Sequence, residues 1–213
     1  YILYPLSINP LLRVYFGTIT PIGKGKTARV FPAVYTIARE YDETFGFRPL
    51  VKLPAARVED GWRRLRGLGI PQGAWFACLH VREPGYLPDL NYHSYRDADI
   101  SSYIPATEAI AERGGWVVRI GDPTMRPLEG MDHIIDLTPS DPAQDGMDIF
   151  CLSQCKFAIG TTSGPIAVSY VFGVPTALTN WVPMGHGGFC SRDTWIPKLY
   201  WSEAEKCHLT FAE

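Results

Sequence analysis

From Trp75 onward the chain alternates short apolar runs with amphipathic stretches, the pattern of buried strands separated by helices. Trp75–Val81 (WFACLHV) is predicted as a first buried strand. Trp116–Ile120 is a second, ending in Gly121-Asp122-Pro123, and His133–Leu137, Lys156–Ile159 and Pro175–Thr179 make three more. Helices are predicted between them. Ile104–Arg113 has Pro105 near its start and Gly114-Gly115 at its end, and Pro165–Phe172 is stopped by Gly173. Met147, Phe150, Cys151 and Cys155 fall at helical spacing and give a further helix, Met147–Cys155, an apolar face for packing on a sheet. Strand–helix alternation of this kind implies an α/β fold with a parallel, doubly wound sheet. Ligands of such sheets bind outside the C-terminal ends of the strands. Four junctions therefore matter together: His80-Val81-Arg82, Gly121-Asp122, Asp136–Asp141 and Gly160–Gly164.

Before Trp75 the pattern is weaker. Tyr1–Thr20 mixes short apolar runs with Pro5, Pro10 and Gly17. Gly23-Lys24-Gly25-Lys26-Thr27 ends like a phosphate loop, but the first glycine of that motif would fall on Thr20. The segment is read instead as a basic turn leading into an amphipathic helix, Ala28–Tyr41. Asp60–Leu68 is predicted helical, anchored by Trp62 and Leu65. Pro54 and the glycines from Gly67 to Gly73 punctuate the approach to the main domain. The expected division is therefore 1–70 and 71–213.

Composition narrows the function classes. The 213 residues suffice for one large α/β domain, or one domain with part of another, and 46% are apolar. A net charge of −2, without a Lys/Arg cluster, argues against nucleic acid or an anionic membrane as main partner. Gly, Pro or charge interrupts every apolar run before it could span a bilayer, and no signal peptide is recognisable. The chain opens at Tyr1 without Met, as a processed product or an excised fragment would. Cys78, Cys151, Cys155, Cys190 and Cys207 form no paired motif, which points to reduced thiols and a cytoplasmic setting. Cys207-His208 is the only adjacent couple of metal-ligand type, so no metal is expected.

Candidate chemistry gathers at two junctions. His80 and Arg82 alternate at a strand end, so both point towards the crevice, and the planar guanidinium of Arg82 suits a phosphate. The loop after them, Glu83–Asp99, holds Tyr86, Asp89, Tyr92, His93, Tyr95, Arg96 and Asp97, a mixture suited to carbohydrate or nucleotide. A surface excursion with a salt bridge from Arg82 to Asp97 or Asp99 fits the same residues. The second junction is Gly160 followed by Thr161, Thr162, Ser163 and Gly164, a hydroxyl-rich turn opening a helix. Free N–H groups, the positive helix end and hydroxyls converge there as an anion site. Taken alone, the turn equally fits an ordinary helix capped by Ser163.

These residues in order resemble a known family. His80-Val81-Arg82, then Gly121-Asp122, then Asp148-x-x-x-Leu152-Ser153 leading to Thr161-Thr162-Ser163, is similar to the donor-site signature of fucosyltransferase-like glycosyltransferases. These have the GT-B fold and include α1,6- and protein O-fucosyltransferases. Trp75 to about Lys198 resembles more closely a poorly characterised group of bacterial glycosyltransferases. The resemblance implies that this chain is the C-terminal, Rossmann-like donor-binding half of a GT-B enzyme, with residues 1–70 the remnant of an acceptor domain. It implies that His80 and Asp148 hold guanine, and that Arg82 grips the β-phosphate. It also implies that Gly121, Asp122, Thr161, Thr162, Ser163 and Gly164 complete the donor site. The family's second Arg and Thr-Asp are replaced by Glu83, Pro84 and Gly85, and its second turn Ser by Gly164. The GTTSGP…FGVP wording also resembles heptosyltransferases, which use an ADP-linked sugar in the same fold.

The implied reaction moves a sugar from a nucleotide-diphosphate donor, GDP-fucose in type or ADP-heptose in the alternative, to a glycan or lipid-linked acceptor. Arg82 and helix-end amides would stabilise the departing diphosphate, so neither metal nor any cofactor beyond the donor is expected. A base for the acceptor hydroxyl is sought among Glu83, Asp89 and Asp97. The setting implied is cytoplasmic, peripheral to the inner membrane. A non-catalytic nucleotide-sugar-binding module would keep Arg82 and Ser163, and an epimerase would need acid/base carboxylates in the cleft. An oxidoreductase is disfavoured because no GxGxxG follows a strand.

Overall fold

A computed structural model describes residues 19–21, 27–29, 41–46, 48–85, 91–138, 146–182, 188 and 190–210. The chain divides into two units, Tyr1–Arg48 with Gly188–Ser191, and Pro49–Gly187 with Arg192–Glu213. In the smaller, β1 (Ile19–Pro21) pairs antiparallel with β2 (Thr27–Arg29). Residues 41–45 are helical, and the buried Asp42 carboxylate accepts the Ser191 N–H at 2.9 Å. The helix expected over Ala28–Tyr41 therefore does not begin at Ala28, because Ala28 pairs with Thr20 as strand. Gly23 to Lys26 lie outside the described residues.

The larger unit begins with α1 (Ala55–Gly67), followed by β3 (Phe76–His80), α2 (Ile104–Glu112), β4 (Trp116–Arg119) and β5 (Ile134–Asp136). Then come α3 (Met147–Gln154), β6 (Phe157–Gly160), α4 (Gly164–Val171), β7 (Thr176–Trp181) and β8 (Thr194–Pro197). A short hairpin, β9 (Trp201–Ser202) with β10 (Cys207–His208), ends the described chain. The six strands β5-β4-β3-β6-β7-β8 form one parallel sheet. β3 is central, the chain winds outward from it in one direction through β4 and β5, and then returns to β6 and winds the other way. This is a Rossmann-like arrangement with its switch point between β3 and β6.

Both sheet faces are covered, which explains why β3 reads as an unbroken apolar run rather than an alternating one. Ala77 and Leu79 join Ile100, Tyr103 and Ile110 in one buried cluster. Phe76 meets the Trp62 ring of α1 edge-on at 5.4 Å, and Trp62 meets Phe150 of α3 at 5.8 Å. Burying a side chain such as Phe76 or Leu65 contributes about 1.5–3 kcal/mol each. Gly61 permits the α1–α3 contact, since a Cβ there would lie 2.2 Å from the Phe150 ring.

The larger compact unit begins at Pro49. Pro54 and the following glycines bracket a helix that docks on α3, and the Leu50 and Val51 N–H groups bond Val171 O at 2.8 and 3.3 Å. The loop after β3 is not structureless: Asn91–Arg96 and Ile100–Tyr103 form 3-10 turns, the second capped by Asp99. β8 was not expected, because its side chains are mostly exposed at the sheet edge and give no buried-strand signal. Cys78, Cys151, Cys155 and Cys190 are buried and Cys207 is exposed. Among the described residues no helix is long and apolar enough to cross a membrane.

Candidate functional site

At the switch point His80 is paired in register with Gly160. A Cβ on residue 160 would stand 2.6 Å from the His80 carbonyl oxygen and 2.4 Å from Ile166 Cδ1. Glycine there lets the start of α4 close against the ends of both central strands. A cavity of about 380 Å³ opens at this point. His80 and Arg82 reach it from β3, and Gly121, Asp122 and Met125 from the turn after β4. Asp148 lines it from α3, Ser163, Gly164 and Pro165 from the start of α4, and Arg96 from the loop after β3. A second cavity of about 380 Å³, between α1 and the start of α3, has no strand-end residue in its wall.

The turn before α4 settles the question of capping. Ser163 has the extended backbone of an N-cap (φ −154°, ψ 159°) but makes no side-chain cap bond. Its hydroxyl donates to Thr161 O at 3.1 Å instead. The first amides of α4 are thus not consumed by the cap side chain, and the positive helix end faces the cavity through Ser163 and Gly164. Pro165 in the first turn forfeits no helical bond.

His80 is buried, and its Nδ1 lies 3.2 Å from Ile120 O. A carbonyl only accepts, so Nδ1 carries the proton and Nε2 is left as an acceptor. Burial pushes the imidazole pKa down, opposed by the Ile120 carbonyl and by Asp122. Asp122 Oδ1 accepts the Thr124 N–H at 2.9 Å and is also bonded by the Thr124 hydroxyl, which pins the turn. Asp148 has an exposed side chain in the cavity wall, yet desolvation there raises its carboxyl pKa.

Arg82 makes the salt bridge to Asp97 and also lines the cavity. Its Nη1 is ion-paired with Asp97 and donates to His93 O at 3.0 Å. Both bonds leave from Nη1, so the remainder of the fork is not committed by them while the side chain lines the cavity.

Several expected site residues are not brought to the cavity. Glu83 Oε2 accepts from Arg119 Nη2 at 2.7 Å and from Arg126 N at 3.1 Å. Arg119 is wholly buried, and Glu83 is held in an ion pair with it. Asp97 is spent on Arg82. Thr161 is fully buried, its hydroxyl accepting Arg82 N at 2.9 Å, which joins the ends of β3 and β6. The Thr162 hydroxyl both donates to Val182 O at 2.9 Å and accepts Val182 N at 3.0 Å. Neither threonine hydroxyl is a cavity donor. At the third junction Asp136 bonds Arg119, Leu128 N and Thr138 rather than a cavity. Asp89 lies outside the described residues. Conversely, Arg96, Met125 and Pro165 line the cavity without having been assigned to it. Arg96 belonged to a polar loop whose sequence has no period, so nothing local pointed it inward.

No protein-family model matches the chain, and no curated protein matches its sequence. Solved structures do share its fold. A glycosyl transferase family 9 structure from Veillonella parvula DSM 2008 aligns with a TM-score of 0.51 at 14% identity, over 69% of this chain and 41% of that one. The E. coli ADP-heptose lps heptosyltransferase II aligns with a TM-score of 0.49 at 9% identity, over 68% and 44%. The chain thus spans less than half the length of either protein. The likeness is one of fold.

Proposed function

We propose that the larger unit is the donor-binding part of a glycosyltransferase, holding a nucleotide-diphosphate sugar in the cavity between β3 and β6. The observation that carries this reading is the convergence of Arg82 with an α4 N-terminus whose cap side chain leaves the amides open. As the bond from sugar to diphosphate breaks, charge develops on the leaving phosphate. The guanidinium and the helix end lie where that charge would be stabilised, in a partly enclosed site. The nucleoside would extend towards His80, Asp148 and Met125. With Glu83 and Asp97 engaged in ion pairs, Asp89 is the loop carboxylate carried forward as base for the acceptor hydroxyl.

Between donors, an ADP-linked heptose-type sugar is the reading we favour over GDP-fucose. The GTTSGP…FGVP turn supports it, as does the absence of a second Arg and Thr-Asp after Arg82, where Glu83 is instead locked to Arg119. The shared fold with a glycosyl transferase family 9 member is consistent with it. A GDP-sugar is the second reading, favoured by His80 and Asp148 lining one cavity. A carboxylate can accept from guanine N1–H and N2–H₂ together, an edge adenine lacks.

Calorimetry of ADP, GDP and UDP, in buffer containing EDTA, tests both. ADP is expected to bind tightest with the metal chelated. GDP binding tightest, with Asp148→Asn weakening GDP by several-fold to hundreds-fold and ADP little, would replace the donor. Failure of all three to bind would remove the glycosyltransferase reading. Binding that requires added Mg²⁺ or Mn²⁺ would overturn its metal-independent form.

A further inference from the structure

Arg96 is the one cavity-lining cation whose charge the protein leaves unanswered among the described residues. It closes the 3-10 turn Asn91–Arg96, fourteen positions after Arg82, and the fold returns it to the same cavity wall. Among the described residues the loop's carboxylates are matched: Glu83 is paired with Arg119, Asp97 with Arg82, and Asp99 with Arg126. Arg96 takes part in no ion pair among the described residues, and its Nε is buried without a hydrogen-bond partner. A buried guanidinium N–H without an acceptor is costly, and such orphans mark places where a ligand completes the bonding. The Tyr95 ring lies 5.9 Å from the guanidinium carbon, a cation–π contact that restricts its orientation. Arg82 feels this neighbour: after desolvation, the Arg96 charge is the next cause lowering its pKa. Two like charges are therefore held against one cavity, and only one of them has a carboxylate.

We propose that Arg96 is the second phosphate-binding cation of the donor site, the residue that makes the cavity select a diphosphate over a monophosphate. The proposal rests on the donor-site reading above and adds to it a specificity residue and a ligand charge. Arg82, already ion-paired with Asp97, and the α4 amides can satisfy a single phosphoryl group. The unmatched charge of Arg96 calls for a second one. Its planar fork can bridge two oxygens at once, which a lysine ammonium cannot do with the same geometry.

The test is calorimetry of the ADP/AMP and GDP/GMP pairs with wild type, Arg96→Ala and Arg96→Lys, with thermal unfolding of each. Wild type is expected to prefer the diphosphate of its favoured base by tenfold or more. Arg96→Ala should lower diphosphate affinity at least tenfold while changing monophosphate affinity less than threefold, collapsing the preference. Arg96→Lys should restore part of it. If Arg96→Ala does not fold, Arg96→Gln, which keeps most of the side chain, is expected to show the same collapse. An unchanged preference in a folded Ala or Gln variant overturns the role of Arg96 and leaves the donor site standing. Equal weakening of both nucleotides means a structural residue and overturns it too, as does wild type binding both equally. Wild type binding none of the four nucleotides, nor UDP, removes the donor-site reading itself, and this proposal with it.

Discussion

Replacing Arg119 with Met should cost about 3–5 kcal/mol of stability, the range for breaking a buried ion pair by removing one partner. The arithmetic is visible in the network. Arg119 has no exposed surface, and its guanidinium reaches Glu83 at 2.7 Å, Asp136 at 2.9 Å and Arg126 O at 2.5 Å. Without it Asp136 retains three donors, Leu128 N at 2.7 Å, Thr138 N at 3.0 Å and the Thr138 hydroxyl at 2.8 Å. Among the described residues Glu83 then retains only Arg126 N at 3.1 Å. The loss therefore falls mainly on Glu83, a buried carboxylate left nearly alone. Against a total stability of about 5–15 kcal/mol, that is enough to place the variant near its unfolding threshold. Adding Glu83→Leu removes the orphan charge, so the double variant should be about 1–3 kcal/mol more stable than Arg119→Met. Urea denaturation of wild type, both singles and the double gives the cycle, with m-values checking that the unfolded state is unchanged. An Arg119→Met loss below about 1 kcal/mol, or a double no more stable than Arg119→Met, would refute the reasoning. So would Glu83→Gln abolishing turnover without any loss of stability, because Glu83 would then be acting as a base.

Arg82→Ala should weaken nucleoside-diphosphate binding by about 1.5–3 kcal/mol, roughly 10- to 150-fold, the scale of a charge-assisted hydrogen bond. Its partner Asp97 is only 16% exposed, so the accompanying stability loss should exceed the roughly 1 kcal/mol ceiling of a surface pair. Calorimetry with a folded variant of unchanged affinity would rule out the phosphate role. For His80, burial lowers the folded pKa below its unfolded value of about 6.5, so the unfolded chain binds the extra proton first. Stability should be full above about pH 6.5 and fall as the pH drops through the folded pKa. His80→Asn, which retains an N–H for Ile120 O, should flatten that part of the profile. Melting temperatures from about pH 5 to 8 with the same slope in both proteins would contradict it.

Hydrophobic patterning carried the fold a long way. Five of the six parallel strands and the helices α1 to α4 were legible, because a sheet covered on both faces writes unbroken apolar runs such as FACLH and FAIG. Strand-end chemistry was legible for the same reason. A residue at the C-terminal end of a buried parallel strand has few places to be, and His80, Arg82 and Ser163 were found at the crevice. β8 was not legible, since an exposed edge strand has no period to betray it.

Strand order and partner choice belong to the tertiary structure. Nothing local states that β6 lies beside β3, yet that adjacency creates the switch point and pairs His80 with Gly160. A hydroxyl or carboxylate in sequence has no stated partner. Packing gave Thr161 to Arg82 N, Thr162 to Val182, and Glu83 to an arginine thirty-six residues away. It also brought Arg96 inward from an aperiodic loop. The sequence by itself determined which elements form and which residues stand at the strand ends, because burial is encoded position by position. Only the fold decided which polar groups remain available to a ligand, because hydrogen bonds are settled between residues distant in the chain.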